Sequence, residues 1–322
     1  VPFKRLGVVV IAEQHRFGVH QRPALKTAEG GEATPHVLVM TATPIPRTLA
    51  MTAFGDLDVS VVAGRPQNRK PVETRWVEPG EAGRAWAAVR GAVERGERAY
   101  VVQPVIGDGG GEDEGDGGLR SVASAVEGLG AGALRGLRIA ALHGRLAREE
   151  RDEVMRRFRE GGAEGIDVLV ATTVIEVGVD VPSATVMVVD HAERFGIAQL
   201  HQLRGRVGRG DRAGSCWLIG EALTEEAAGR LRALVETGDG FALAEADLRL
   251  RGPGELVGPR QSGLVGFRVA RLPGDEALLE AARADAAWWV GRSPGLGGAG
   301  DGLARSRVLK RYGAKLELVD VG

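Results

Sequence analysis

Apolar residues along the chain gather into short runs divided by polar stretches. Leu6–Ile11 (LGVVVI) and Val37–Met40 (VLVM) are continuous in the way of parallel strands buried on both faces. Ala99–Pro104 (AYVVQP), Leu137–Leu142 (LRIAAL), Ile166–Val170 (IDVLV) and Thr185–Val189 (TVMVV) repeat the pattern. Polar residues suited to a strand tip follow the first two: Glu13, Gln14 and His15 after one, Thr41 and Thr43 after the other. Elsewhere the apolar spacing becomes helical. Arg84–Arg95 places Trp86, Val89, Ala92 and Val93 on one face, and Glu149–Glu160 does the same for Val154, Met155 and Phe158. Strands alternating with helices predict an α/β fold with parallel sheets, with ligands expected at the carboxyl ends of the strands.

Two stretches break the pattern. Gly107–Gly118 (GDGGGEDEGDGG) carries no apolar residue and is expected to be a mobile acidic surface loop. Gly291–Gly302 reads as a second linker. Boundaries fall near Gly64 and Glu221, giving segments 1–63, 64–220 and 221–322, the last opening with helix around Thr224. No repeat of solenoid length is visible.

Composition narrows the class. Of 322 residues, 43% are hydrophobic and 26% charged, as in a folded globular protein; the 49 glycines and 14 prolines are clustered rather than periodic, which excludes collagen. No apolar run approaches the roughly 18 residues of a membrane helix, and Val1–Gly7 lacks a signal-peptide layout, so a cytoplasmic location and no membrane partner are expected. The single cysteine, Cys216, rules out an intrachain disulfide and a zinc site needing two sulfurs. Net charge is −1, which by itself gives no hint of nucleic acid. Only five of the 42 basic residues are lysine, a bias read as coding composition rather than phosphate binding. The chain opens with Val and almost directly enters a strand, in the manner of the back part of a longer polypeptide.

Four clusters carry chemistry, and their order matters. Ala12-Glu13-Gln14-His15 stands at a strand tip, where nucleotide-hydrolysing α/β proteins place one carboxylate to support Mg²⁺ and the next to polarise water. Thr41-Ala42-Thr43-Pro44-Ile45-Pro46-Arg47 offers hydroxyls that bridge the water-activating site to a neighbouring domain, with prolines fixing the chain's exit. In Val170–Pro182 (VATTVIEVGVDVP), Gly178 permits close backbone approach to a phosphate or sugar, while Asp180 is suited to accept from a ribose or to position an arginine. The fourth cluster is Gln202-Leu203-Arg204-Gly205-Arg206-Val207-Gly208-Arg209. As a continuous helix it would align Gln202, Arg206 and Arg209 on one face, with its two glycines answering close approach of a partner domain or phosphate. Its arginines suit a γ-phosphoryl group as arginine fingers in cis.

AEQHRFGV, TATPIPRTLA, ATTVIEVGVDVP and QLHQLRGRVGRG, in this order, resemble motifs II, III, V and VI of superfamily 2 helicases. Together with RGPGELVGPRQSG at Arg251–Gly263 they are similar to the RecG family of ATP-dependent DNA helicases over roughly Val1–Leu272. The resemblance implies RecA-like parallel sheets with flanking helices: the end of a first helicase lobe, a complete second lobe, then a helical hairpin and loop that turn domain closure into movement along duplex DNA. It implies a monomer that uses ATP and Mg²⁺ to remodel stalled forks and Holliday junctions in the bacterial cytosol. Glu13 becomes the water-activating acid and His15 its link to the inter-domain signal, which also involves Thr41 and Thr43. Gly178, Asp180, Gln202, Arg206 and Arg209 line the nucleotide, Arg206 and Arg209 with a catalytic part. His143, Gly144 and Thr172 match positions that touch the DNA backbone, and Arg251, Arg260 and Gln261 match the translocation motif. The tail Arg305–Lys315, with five positive charges and no acid, either contacts phosphates or is a solvated end.

The chain departs from that family at Ala12, where the pattern has Asp, since a methyl group cannot hold the hydration shell of Mg²⁺. No lysine follows a glycine, so no phosphate-wrapping GK[ST] core is present in the sequence, and the family's junction-recognising wedge domain is expected to lie upstream of it. Pro259 stands where Thr is usual. The chain alone is therefore expected to be inactive as an ATPase. Two alternatives stay open at this stage: a transcription-repair coupling translocase, which HRFG and RGPGE speak against, and a non-catalytic DNA-binding relic.

Overall fold

The computed structural model describes residues 7–12, 35–41, 60, 62, 70–104, 114–172, 180–251 and 274–319. The chain divides into two compact units, Ser60–Leu250 and a second formed by Val1–Val59 with Arg251–Gly322.

The larger unit is built on a six-stranded, wholly parallel sheet. Its strands are β3 (Glu73–Val77), β4 (Arg98–Val102), β5 (Ile139–Leu142), β6 (Val168–Ala171), β7 (Ala184–Val189) and β8 (Ser215–Ile219), in the order β3-β8-β7-β4-β6-β5. Period-two alternation divides the central strands between two cores. Ala99, Val101, Val168, Val170, Val186 and Val188 point to one face, where α1 (Gly83–Glu94) adds Ala85, Val89 and Ala92, and α2 (Glu114–Ala131) adds Val122. Tyr100, Leu169, Met187 and Cys216 point to the other. There α3 (Arg148–Glu160) contributes Phe158, α4 (Ile197–Arg204) Leu200 and Leu203, α5 (Glu225–Glu236) Leu231 and Leu234, and α6 (Gly240–Arg251) Leu243. Both faces are covered, so β6 and β7 are buried at every position, in keeping with sequences that are apolar but for Thr185. Each fully buried Val, Leu or Met contributes roughly 1.5–3 kcal/mol.

The larger unit departs from the sequence reading at three places. The acidic Gly-rich loop was expected to run through Gly118, but α2 already begins at Glu114; Val122, Ala125, Val126 and Leu129 share one helical face against the sheet, and their burial carries the helix back through glycines that disfavour it. The compact unit also extends to Leu250, past the boundary expected near Glu221. Thr224 caps α5 by accepting from Ala227 N–H at 3.1 Å, and the helix then buries Leu231 and Leu234 in the core of the sheet instead of standing apart from it. Gly229 lies where Leu250 of α6 comes closest; a Cβ there would meet Leu250 Cδ2 at 2.7 Å, so α5 and α6 pack against each other at this point. Last, β3 and β8 were not anticipated from the sequence.

The second unit holds a parallel pair, β1 (Val8–Ala12) and β2 (His36–Met40), in register from Val8 with His36 to Ala12 with Met40. The burial expected on both faces is not reached: Val9 and Ile11 are buried, whereas Val8, Val10, Leu38 and Met40 are exposed. The same unit contains α7 (Glu276–Arg292) and α8 (Gly302–Val319). The linker expected at Gly291–Gly302 begins as the last turn of α7 and continues as a tied corner, in which Trp289 Nε1–H donates to Asp301 Oδ1 at 2.9 Å and Gly298 N–H to Ser293 Oγ at 2.9 Å.

Candidate nucleotide and nucleic-acid site

The GRVGR segment is a turn, not a continuous helix. α4 stops at Arg204, Gly205 caps it by donating to His201 O, and Arg206 N–H returns to Leu203 O at 2.9 Å. Gly208 has φ +66°, a conformation that favours glycine, and its N–H reaches Ala184 O at the amino end of β7. A Cβ on Gly208 would meet Gly214 N and Val72 Cγ2, each at 3.2 Å. The glycine thus answers close approach of the chain to itself. Gln202 lies in α4 while Arg206 and Arg209 lie beyond its end, so the single helical face expected for the three does not form.

The turn nevertheless gathers charge. Arg209 Nε–H donates to Gly205 O at 3.1 Å, and its Nη1 lies 3.6 Å from Asp180 Oδ1. Asp180 is mostly exposed, so this loose pair adds little stability and leaves donors of Arg209 available. Tyr100, buried on β4 with its ring 4.9 Å from that of Phe158, lies within the fields of both arginines and Asp180. Burial pushes its phenol up to about 12, against the pull of Arg206 and Arg209. Tyr100 was not singled out in the sequence; the periodicity of AYVVQP marks it only as a core position.

Arg204 was also passed over. It is 5% exposed, and its fork is met by backbone, hydroxyl and ring acceptors. Nη1 donates to Leu234 O and Thr237 O, each at 2.8 Å, and to Thr74 Oγ1 at 3.3 Å, while Nη2 donates to His201 Nδ1 at 2.8 Å. The two carbonyls are at the C-terminus of α5, whose dipole is negative there and compensates a buried cation.

The opposite end of the sheet carries a second group. Leu142 is in register with Ala171, so His143 and Thr172 follow side by side from adjacent strands β5 and β6. Thr172 is buried, and His143 Nδ1 is buried without a hydrogen-bond partner among the described residues. Gly144 begins the turn after His143. Next in strand order, Gln103 N–H donates to Ala171 O at 2.8 Å and its Nε2–H to Asp190 Oδ2 at 3.1 Å, a pair no sequence signal marked. His143 and Thr172 stand at carboxyl strand ends, whereas the GRVGR turn sits at the amino end of β7.

A third cluster holds the loop after Arg209. Glu97, 7% exposed, accepts from Arg95 Nε and Nη2 at 3.0 Å, from Arg212 Nη1 at 3.2 Å and from the Thr185 hydroxyl. Burial alone would raise its carboxyl. The hydrogen bonds from Arg95 and Thr185 and the charges of Arg95 and Arg212 outweigh this and hold it below the usual carboxylate range.

Of the remaining expected site residues, Thr41 directly follows β2, and Arg251 ends α6 with its side chain outside the description. Glu13, His15, Thr43, Gly178, Arg260 and Gln261 lie outside the described residues.

A family profile described as "Helicase conserved C-terminal domain" matches residues 121–211, and one described as "ATP-dependent DNA helicase RecG, domain 3, C-terminal" matches 237–298. The chain is 46% identical over 283 residues to the ATP-dependent DNA helicase RecG of Streptococcus pneumoniae, covering 88% of this chain and 40% of that protein. It is 44% identical over 324 residues to that of Aquifex aeolicus, covering 99% and 39%. The chain belongs to the RecG family, in its C-terminal region. A solved structure of RecG bound to a three-way DNA junction superposes with a TM-score of 0.63 at 45% identity, over 86% of this chain and 34% of that one. The chain spans about two fifths of the RecG relatives named here. Its larger unit is a RecA-like helicase lobe. No described helix is long and apolar enough to cross a membrane.

The fit of the groups this family uses divides along the chain. Arg206, Arg209 and Asp180 suit the phosphate and sugar end of a nucleotide. Where the resemblance implies a Mg²⁺-supporting carboxylate, the residue does not fit that ion: Ala12, the exposed last residue of β1, offers a methyl group.

Proposed function

We propose that this chain supplies the second motor lobe and the translocation elements of an ATP-dependent DNA helicase that remodels branched DNA, as stalled forks and Holliday junctions require. The observation that carries this reading is the turn pinned by Gly208, which bears Arg206 and Arg209 and brings Arg209 to Asp180. ATP, when bound, supplies a phosphoryl group whose transfer to water spreads negative charge over the γ-oxygens. Arg206 and Arg209 supply fixed positive charge to that region, and Asp180 restrains Arg209 without consuming all its donors. Gln202 and Gly178 complete the nucleotide's surroundings. Glu13 orients the attacking water, with His15, Thr41 and Thr43 carrying the signal between lobes.

His143, Gly144 and Thr172 contact the DNA backbone from the carboxyl ends of β5 and β6, with Arg251, Arg260 and Gln261 engaging duplex DNA ahead of the motor. The junction named in the RecG structure supports branched DNA as the partner. The protein acts as a monomer in the cytosol.

The 322-residue chain alone lacks a phosphate-wrapping lysine and the Mg²⁺-supporting carboxylate, and is inactive as an ATPase. Phosphate release measured with Mg²⁺ and a three-way DNA junction tests both parts. The expected outcome is none from the chain by itself; with a P-loop lobe supplied upstream and Ala12→Asp, turnover appears and Arg209→Ala removes it. DNA-stimulated release by the unaltered chain alone overturns the inactivity. Turnover in the completed motor that is indifferent to Arg209→Ala overturns the arginine assignment.

A further inference from the structure

Arg151 lies near the start of α3, on the face that this helix turns to the sheet. Val154, Met155 and Phe158 follow it at i+3, i+4 and i+7, and they belong to or pack against the core that holds Leu142 and Ala171. An apolar residue would continue that stripe. The chain instead places a half-buried guanidinium there, with Nε sealed from solvent and without a hydrogen-bond partner. Among the described residues its side chain makes neither a hydrogen bond nor an ion pair. Carboxylates beside it in sequence are turned elsewhere. Glu150 Oε2 accepts from Ala147 N–H at 3.2 Å, Asp152 lies 3.9 Å from Arg148, and Glu153 accepts from Arg156 Nε at 2.8 Å. Arg156 and Arg157, on the same helix, spend donors on Glu153, Glu160 and the Glu164 carbonyl. A buried donor without an acceptor is unfavourable, so the acceptor Arg151 is suited to comes from outside the fold.

Its place in the fold says which acceptor. The chain leaves β5 at Leu142, turns with Leu146 N–H on His143 O at 3.3 Å, and enters α3 at Arg148. Helical side chains lean toward the N-terminus of their own helix, so Arg151 leans back toward the turn that carries His143 and Gly144. Thr172 ends the adjacent strand in register with His143, whose Nδ1 is likewise buried and unpartnered. Histidine, glycine and threonine bring polar groups to this edge but no permanent charge, whereas nucleic-acid backbones are held chiefly by lysine and arginine.

We infer that Arg151 is the phosphate-binding cation of this edge: its terminal Nη donors hold one backbone phosphate of the DNA strand lined by His143 and Thr172. This role rests on the helicase reading above and supplies the charge that reading lacks at the carboxyl ends of β5 and β6. The stem lies along the apolar stripe and keeps the fork in place beforehand, so little side-chain freedom is lost when the phosphate arrives.

The test uses the intact protein carrying this chain and reads its affinity for a three-way DNA junction over a series of salt concentrations, with thermal melts alongside. Arg151→Met keeps an unbranched apolar stem, so it should melt no lower than wild type. It should weaken binding at low salt by about tenfold and reduce the slope of log affinity against log salt by about 0.9, the contribution of one neutralised phosphate. Arg151→Lys restores a single charge and should recover the slope; a packing role would not move this readout. Arg151→Gln is expected to lose the slope as methionine does, and decides the matter if Arg151→Met does not fold. An unchanged slope in the neutral variants, or a lysine variant that behaves like them, overturns the assignment alone. A wild-type protein that does not bind the junction overturns the helicase reading and the assignment with it.

Discussion

Arg204 and Arg209 lie five residues apart around one turn and differ in almost every physical respect. Arg204 is buried, gives its donors to backbone and ring acceptors, and is balanced by a helix dipole. Arg209 keeps one carbonyl, a loose carboxylate at 3.6 Å and much of its fork unspent. The first is tied to the fold, and the second is held ready for something outside it. Arginine count alone does not distinguish these roles; the number and kind of acceptors around each guanidinium does.

Four substitutions break or sharpen that contrast, in decreasing cost to folding. Arg204→Ala orphans the buried carbonyl of Leu234 and the half-buried one of Thr237 and should cost about 3 kcal/mol, lowering Tm by roughly 6–12 °C in a unit of this size; urea and thermal melts check this. Gly208→Ala places a side chain at φ +66° against Gly214 and Val72 and should cost about 1–2 kcal/mol by the same melts. Glu97→Gln tests, through pH, the cluster that holds the loop after Arg209. The native carboxyl titrates below its ordinary value near 4.5, so its stabilisation is fully present above that pH and is lost as pH falls through the lower folded value. The stability gap between wild type and Glu97→Gln should therefore be constant near neutrality and close under acid. Arg209→Ala should change folding by less than about 0.5 kcal/mol in the melts, even though it removes turnover from the completed motor.

Much of the architecture was readable along the chain. Continuous apolar runs marked β1, β2 and β4–β7, and helical spacing marked α1 and α3; for β4, β6 and β7 the cause is burial on both faces of a parallel sheet, which leaves a direct imprint on sequence. β3 eluded the reading because ETRWV is an edge strand with Glu73 and Arg75 exposed, so its apolar pattern is diluted. β8 begins directly after Gly214, and the approach of Gly208 to Gly214 that delimits it involves residues apart in sequence. The site was legible as a set of residues more than as a geometry. Gln202, Arg206 and Arg209 were grouped by a helical period that Gly208 interrupts. Arg204 left no signal, since its partners at 234 and 237 are main-chain oxygens, which every residue carries.

One consequence concerns Cys216, the only sulfhydryl in the sequence. As a residue of β8 it is sealed in the core, and burial pushes its thiol up to about 12, so it stays protonated and shielded from alkylating reagents at neutral pH. The native chain is thereby silent to maleimide dyes without any mutation. A cysteine introduced at exposed Asp211, two residues past Arg209, would accept a single fluorophore and let the turn be watched in real time.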